Sequence, residues 1–246
     1  MPTGAPQISI RLQGYGIIAF MNCWICGAPA TTGEHKTKQS DLRSLIGVPS
    51  QAKPFYYHDK AIKNRPIASY KGEFLKSASR LCAKCNNAVT QPYDRAWEKL
   101  SEALRTRKPE TNPGDIVRAN RIFPYGTKDK MRYVQLYFAK LTGCHLVEAN
   151  LKFDQTSLSA SILSAKPSPY IYLKFGTSKD GLIGMTDLHA ATLATDNSCA
   201  FAVWCYSLGT LAVHVMYAVK GERRDGLVDA WHPSLGTGGL RIADFS

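Results

Sequence analysis

No apolar run among the 246 residues approaches the roughly 20 that a membrane-spanning helix needs. Near the N-terminus only Gly16-Ile17-Ile18-Ala19-Phe20 is apolar. It is too short for a secretory leader, and no basic segment or small-residue cleavage site frames it. Internal repeats and low-complexity tracts are missing. Acidic side chains are scarce, with 19 Asp+Glu against 31 Lys+Arg and a formal net charge of +12. An even set of cysteines is missing too. Seven cysteines without an export signal argue against a disulfide framework and for a reducing cytoplasm with a metal site.

The positive excess is not spread evenly. Residues 1–130 hold 21 Lys+Arg against 10 Asp+Glu, and the remainder holds 10 against 9. A basic half beside a near-neutral one is the electrostatic footprint of a polyanion binder. Hydrophobic residues make up 44% of the chain, enough for a sizeable core in one large or two small domains.

Within the basic half stand two CxxC pairs, Cys23-Trp24-Ile25-Cys26 and Cys82-Ala83-Lys84-Cys85, with Gly33-Glu34-His35 between them and Asn86 directly after the second. Four thiolates in two such pairs suit a tetrahedral Zn²⁺ site. The long spacer predicts a metal that staples distant parts of one domain, a knuckle on one side and a helix start on the other. Gly27 supplies the φ > 0 that the first knuckle needs. Cys144, Cys199 and Cys205 lie in apolar surroundings and are read as buried, unreactive thiols. Trp24 and Trp97 are read as core. His145, His189, His214 and His232 show no metal spacing and are read as structural or surface residues.

The expected organisation is an extension over 1–21, a zinc-bound domain over 22–107, a Pro/Gly-rich linker over 108–114 and a mixed domain over 115–246. The fold class is α+β, with an antiparallel sheet in the second domain. Residues 22–35 predict a knuckle leading into a short β-hairpin. Residues 40–47 predict a helix capped by Ser40 and stopped by Gly47. One or two short strands are expected over 54–70. From Cys82 the pattern is helical, interrupted at Pro92 and ending near Arg107. A helix is expected over 131–145 and a strand over 170–175. A hairpin over 200–219 turns at Leu208-Gly209, and 240–245 reads as a last edge strand.

A CxxC knuckle, then an acidic residue followed by His, then CxxC-Asn opening a helix, resembles the four-cysteine, treble-clef form of the HNH (ββα-metal) endonucleases. The likeness is greatest to the endonuclease VII type and covers about residues 22–107. It implies a structural zinc on Cys23, Cys26, Cys82 and Cys85. His35 would be the general base, and Glu34 and Asn86 would hold a catalytic Mg²⁺ or Mn²⁺. The chemistry agrees: a neutral imidazole can deprotonate water, and a hard cation on oxygen ligands can neutralise the scissile phosphate and leaving oxygen. Sulfur does not suit that cation, so the two metal sites should be separate. Adjacent strand residues point to opposite faces, so Glu34 and His35 converge only if the strand is bulged or if they reach the phosphate from different sides.

The sequence departs from the family in two respects. Lys36-Thr37-Lys38 stands where a proline and Gly-Gly often follow the His, and the middle loop-bracing residue has only His58 and Asn64 as candidates. Asn87 is an alternative to Asn86, and Asp94, two turns on, reads first as a helix-surface residue and second as an added carboxylate. Lys36, Lys38, Arg80 and Lys84 are the expected phosphate contacts, giving salt-sensitive binding rather than base reading. The expected partner is DNA, with RNA left open and no membrane. The second domain would serve a homodimer or a protein partner. The competing expectation is a zinc-stapled nucleic-acid-binding or interaction module without chemistry, and a weaker third is a redox protein using the CxxC thiols.

Overall fold

The computed structural model describes residues 22–58, 63–108, 110–236 and 238–245. The expected 1–21 extension and Pro109 of the expected linker lie outside these.

After the first knuckle the chain enters β1 (Thr32–His35). Its partner is not local. It pairs antiparallel with β4 (Lys76–Leu81), with Thr32 opposite Leu81 and His35 opposite Lys76. The expected short hairpin is thus opened by an excursion holding α1 (Gln39–Ile46) and the hairpin of β2 (Phe55–Tyr57) and β3 (Arg65–Ile67). This excursion has its own small core of Leu42, Ile67, Tyr70 and Leu75. Gly47 stops α1 at φ 74, as expected. Ser40 does not cap it: the N-cap is Lys38, and Ser40 Oγ instead donates to Glu98 Oε1 at 2.6 Å.

Beyond Cys82 a π-helical turn, Lys84–Val89, runs into α2 (Gln91–Arg105). Pro92 starts this helix rather than breaking it, because its missing N–H costs nothing in the first turn. Then come β5 (Ile116–Val117), the single turn α3 (Ala119–Ile122), α4 (Thr127–Glu148) and α5 (Gln155–Ser164), the last capped by the Asp154 side chain. The remainder is β6 (Ile171–Thr177), β7 (Ile183–Met185), β8 (His189–Thr192), β9 (Cys199–Leu208), β10 (Leu211–Ala218) and β11 (Leu240–Asp244).

These strands form one sheet in the order β5-β11-β6-β10-β9-β7, with β8 also on β9. It is antiparallel except where β11 runs parallel to β6. The expected hairpin is β9–β10, turning at Gly209-Thr210, one residue later than read from the sequence. β11 is not an edge strand, because β5 covers its outer side.

Helix α4 explains how the halves are joined. Every residue from Val134 to Cys144 is buried, so this helix is surrounded rather than laid on a surface. Its buried polar groups are paired: Gln135 bonds Ser168 and Ile171, and Thr142 accepts from Trp204 Nε1 at 3.1 Å. Trp97 of α2 is fully buried and stacks on Tyr137 at 5.6 Å with an interplanar angle of 10°. One hydrophobic cluster runs from Cys23 and Trp24 through α2 and α4 to Ile242, across the 108–114 stretch. No helix among the described residues is long and apolar enough to cross a membrane.

The first knuckle is keyed into α4. Trp24 Nε1 donates to Cys144 Sγ at 3.4 Å, and its ring covers Gly143 so closely that an added Cβ would overlap it. Gly143→Ala is therefore expected to cost about 1–3 kcal/mol by overpacking. That corresponds to a drop of roughly 2–4 °C in Tm per kcal/mol in a chain of this size. A thermal melt superimposable on the wild type would refute this packing.

Candidate metal centre and the residues around it

The first pair is shaped by its own backbone. Gly27 N–H donates to the Cys23 carbonyl at 2.8 Å, Cys23 N–H donates to the Ala28 carbonyl at 2.7 Å, and Asn22 bridges Pro29. Gly27 stands at φ +75, where a side chain would be strained. The second pair spans the end of β4 and the π-helical turn, which closes with Thr90 N–H on the Cys85 carbonyl at 3.2 Å. Cys85 N–H points at Cys82 Sγ at 3.3 Å.

The Sγ atoms of Cys23, Cys26, Cys82 and Cys85 all lie within 4.8 Å of one another, with Cys26 and Cys82 at 3.5 Å. Thiolates sharing one tetrahedral zinc at ~2.3 Å stand about 3.8 Å apart, so the spacing fits. The cluster could hold a metal ion such as zinc. Cys26 is exposed and the other three are buried. As free thiols, Cys23 and Cys85 are pushed up by burial. At Cys82 burial acts the same way, but the Cys85 N–H and the neighbouring thiols outweigh it and bring it down to about 7. Cys144 and Cys199 are buried as expected, and burial pushes their thiols up to about 12 and about 11; Cys205, expected to be buried, is only partly so, with burial raising its thiol as well.

The β1–β4 pairing is irregular at Glu34, but the bulge lies in β4 and not in the strand that carries Glu34-His35. Gly33 faces Arg80 while His35 faces Lys76, so β4 carries extra residues opposite Glu34. The two side chains take different partners. Glu34 Oε1 meets the ammonium of Lys140 on α4 at 3.0 Å. The same nitrogen lies 2.9 Å from Asp94 Oδ1 and 3.5 Å from Thr90 Oγ1. Burial would pull Lys140 down, but the Glu34 and Asp94 carboxylates outweigh it and hold the ammonium above its ordinary range. Burial raises Glu34 despite that ammonium.

His35 turns instead toward α1. Its Nε2 lies 2.8 Å from Gln39 Nε2 and 3.2 Å from the Tyr70 carbonyl. Gln39 Nε2 also donates to that carbonyl, at 3.2 Å. Burial lowers the His35 pKa and favours the neutral ring.

Asn86 is tied to the strand itself: its Nδ2 donates to Thr32 Oγ1 at 3.1 Å. Thr90 Oγ1 donates to the Cys85 and Asn86 carbonyls, which connects the cysteine turn to the Lys140 pocket. Asn87, the alternative, is exposed. His58 Nδ1 accepts from the Asn64 N–H at 3.3 Å in the exposed hairpin between β2 and β3.

Among the expected phosphate contacts, Lys38 is 3.5 Å from Glu98 and 3.9 Å from Asp94, and Arg80 is 3.0 Å from Glu73. Lys36 is partly buried and Lys84 exposed, and neither forms an ion pair among the described residues.

Sequence reasoning did not find Lys140, Gln39 or Asp41. Asp41 is buried and accepts from Trp97 Nε1 and Tyr206 Oη, each at 2.9 Å, and burial raises its pKa. A lone lysine within the apolar run Leu136-Tyr137-Phe138-Ala139-Lys140-Leu141 was the available signal for the first of these.

Compared with protein-family models, curated proteins and solved structures, the chain finds no match in any of the three.

Proposed function

We propose that this chain is a divalent-metal-dependent endonuclease of the HNH (ββα-metal) type acting on DNA, built around a treble-clef zinc centre. The observation that carries this reading is the grouping of its parts in one sheet-and-helix unit. Glu34-His35 end β1, and Asn86, next to the last cysteine, bonds Thr32 of that same strand at 3.1 Å. The basic half of the chain supports a polyanionic substrate.

In this reading Cys23, Cys26, Cys82 and Cys85 hold zinc and pin the β1–β4 sheet to the start of α2. His35, kept neutral by burial, accepts the proton of the water that attacks phosphorus. Glu34 and Asn86 would hold a Mg²⁺ or Mn²⁺ ion, which would supply charge neutralisation for the phosphate and the leaving 3′-oxygen. Because Asn86 Nδ2 is engaged with Thr32, Oδ1 is the atom it would offer. Lys36 and Lys84 form no ion pair among the described residues and are the phosphate contacts of this reading.

A second reading is favoured by the Lys140 contact. Glu34 already has a cation at 3.0 Å, as a purely structural carboxylate would. The chain would then be a zinc-stapled nucleic-acid-binding module without chemistry.

Incubation of supercoiled plasmid with Mg²⁺ or Mn²⁺, with and without EDTA, separates the two. The nuclease reading expects strand breaks that EDTA abolishes. It also expects His35→Ala to lose at least about a hundredfold in rate while zinc content and DNA binding stay near wild type. An alanine variant that cuts as fast as wild type would remove His35 from the role. Binding without breaks under either metal would leave the second reading standing.

A further inference from the structure

The basic residues picked from the sequence are those nearest the cysteine motif along the chain, yet a more open concentration of positive charge lies elsewhere. Residues 118–132 hold five basic side chains and one acid, Asp129. That acid is spent on Arg132, 2.9 Å away. Arg118, Arg121, Lys128 and Lys130 are exposed and form no ion pair among the described residues. The chain contacts fold this segment back onto α2: Lys99 Nζ lies 5.6 Å over the Phe123 ring, and Tyr93 packs on Tyr133 at 5.3 Å. Arg95, one turn before Lys99, is exposed on the same flank of α2. Glu102, one turn after Lys99, is the exposed acid on that flank. Tyr125 projects from the middle of the cluster with 89% of its surface exposed, between Pro124 and Gly126.

We propose that α2, α3 and the first turns of α4 form the docking surface for the phosphate backbone of duplex DNA, with Tyr125 as its aromatic contact. None of these six cations forms an ion pair with a carboxylate among the described residues, and the ring contacts of Lys99 with Phe123 and Lys130 with Tyr133 leave their charge unneutralised. Burying them against another acidic protein surface would demand matched carboxylates, whereas a phosphate backbone supplies regularly spaced negative charge and releases counterions on binding. This surface rests on the nucleic-acid reading given above but not on cleavage, so binding can be tested alone.

The test is fluorescence anisotropy of the full-length chain with a labelled duplex of about 20 base pairs at several salt concentrations. Lys99→Gln/Arg121→Gln/Lys128→Gln is compared with Lys166→Gln/Lys179→Gln/Lys220→Gln, which removes the same charge from exposed sites on the other half. The first variant should lose roughly tenfold or more in affinity at 0.1 M salt (~10 Å Debye length). Its log–log salt slope should shrink by about 3. The control should stay within about twofold of wild type. Equal weakening of both variants would reduce the effect to net charge and overturn the proposal. Wild-type affinity in the first variant, or no duplex binding by the wild type, would overturn it as well, and tighter binding to duplex RNA would overturn the choice of DNA. A wild type that binds through this surface yet never cuts would sink the nuclease reading and leave the surface intact.

Discussion

With zinc on the four cysteines as proposed, its removal by a strong chelator is expected to lower the Tm by roughly 10–20 °C, the equivalent of about 5 kcal/mol or more in a chain of this size. The size of the effect follows from where the sulfurs sit. Cys23, Cys82 and Cys85 are part of the main core, and Trp24, between Cys23 and Cys26, packs against Gly143 of α4. Release of the metal frees the first knuckle, and the knuckle takes Trp24 with it. Because the thiols of Cys23 and Cys85 are held up by burial, metal binding must expel their protons, so zinc retention should weaken as the pH falls. Elemental analysis combined with thermal melts checks both points. Substoichiometric metal in freshly purified protein, or a melt indifferent to chelation, would refute a structural zinc.

Replacing Lys140 by methionine is expected to cost about 3–5 kcal/mol, because it strands the Glu34 carboxylate in the interior and leaves Asp94 only the more distant Lys38, at 3.9 Å. Glu34 and Asp94 each lie about one hydrogen bond from the ammonium, at 3.0 and 2.9 Å. The pH dependence has a definite sign. Burial already holds Glu34 above its ordinary pKa in the wild type. Loss of the only cation in contact with its carboxylate among the described residues raises it further. A raised folded-state pKa contributes stability that is present at low pH and lost as pH rises through it, so the variant's deficit should shrink on acidification from neutrality. Lys140→Met combined with Glu34→Gln and Asp94→Asn should recover most of the loss, since neutral amides carry no uncompensated charge. Urea titrations at neutral and mildly acidic pH read all three outcomes. A single variant as stable as wild type at neutral pH would show that this ion triad contributes nothing to the fold.

The sequence was legible where structure is local. The CxxC spacing, the stop at Gly47 and the β9–β10 hairpin each depend on residues a few positions apart. β4 was hidden because its inward positions include Ser77 and Ser79, buried serines where a strand pattern leads one to look for apolar residues. Ser40 looked like a cap until Glu98, on α2, claimed its hydroxyl. The edge assignment of β11 failed because its covering strand, Ile116-Val117, lies just beyond a stretch that reads as linker. At the candidate site, residue types were readable but their partners were not. Lys140 reaches Glu34, and Tyr70 reaches His35, from parts of the chain that no motif links to them.

The placement of β11 between β5 and β6 bears on how the molecule is made. A ribosome delivers β5 long before the strand it pairs with, so the sheet cannot close vectorially. Until Leu240–Asp244 emerges, Ile116-Val117 has no ladder to join and the outer edge of β6 lies open. Nascent chains therefore pass through a stage with a bare, pairing-competent margin, the condition under which slow, high-contact-order proteins depend on chaperones.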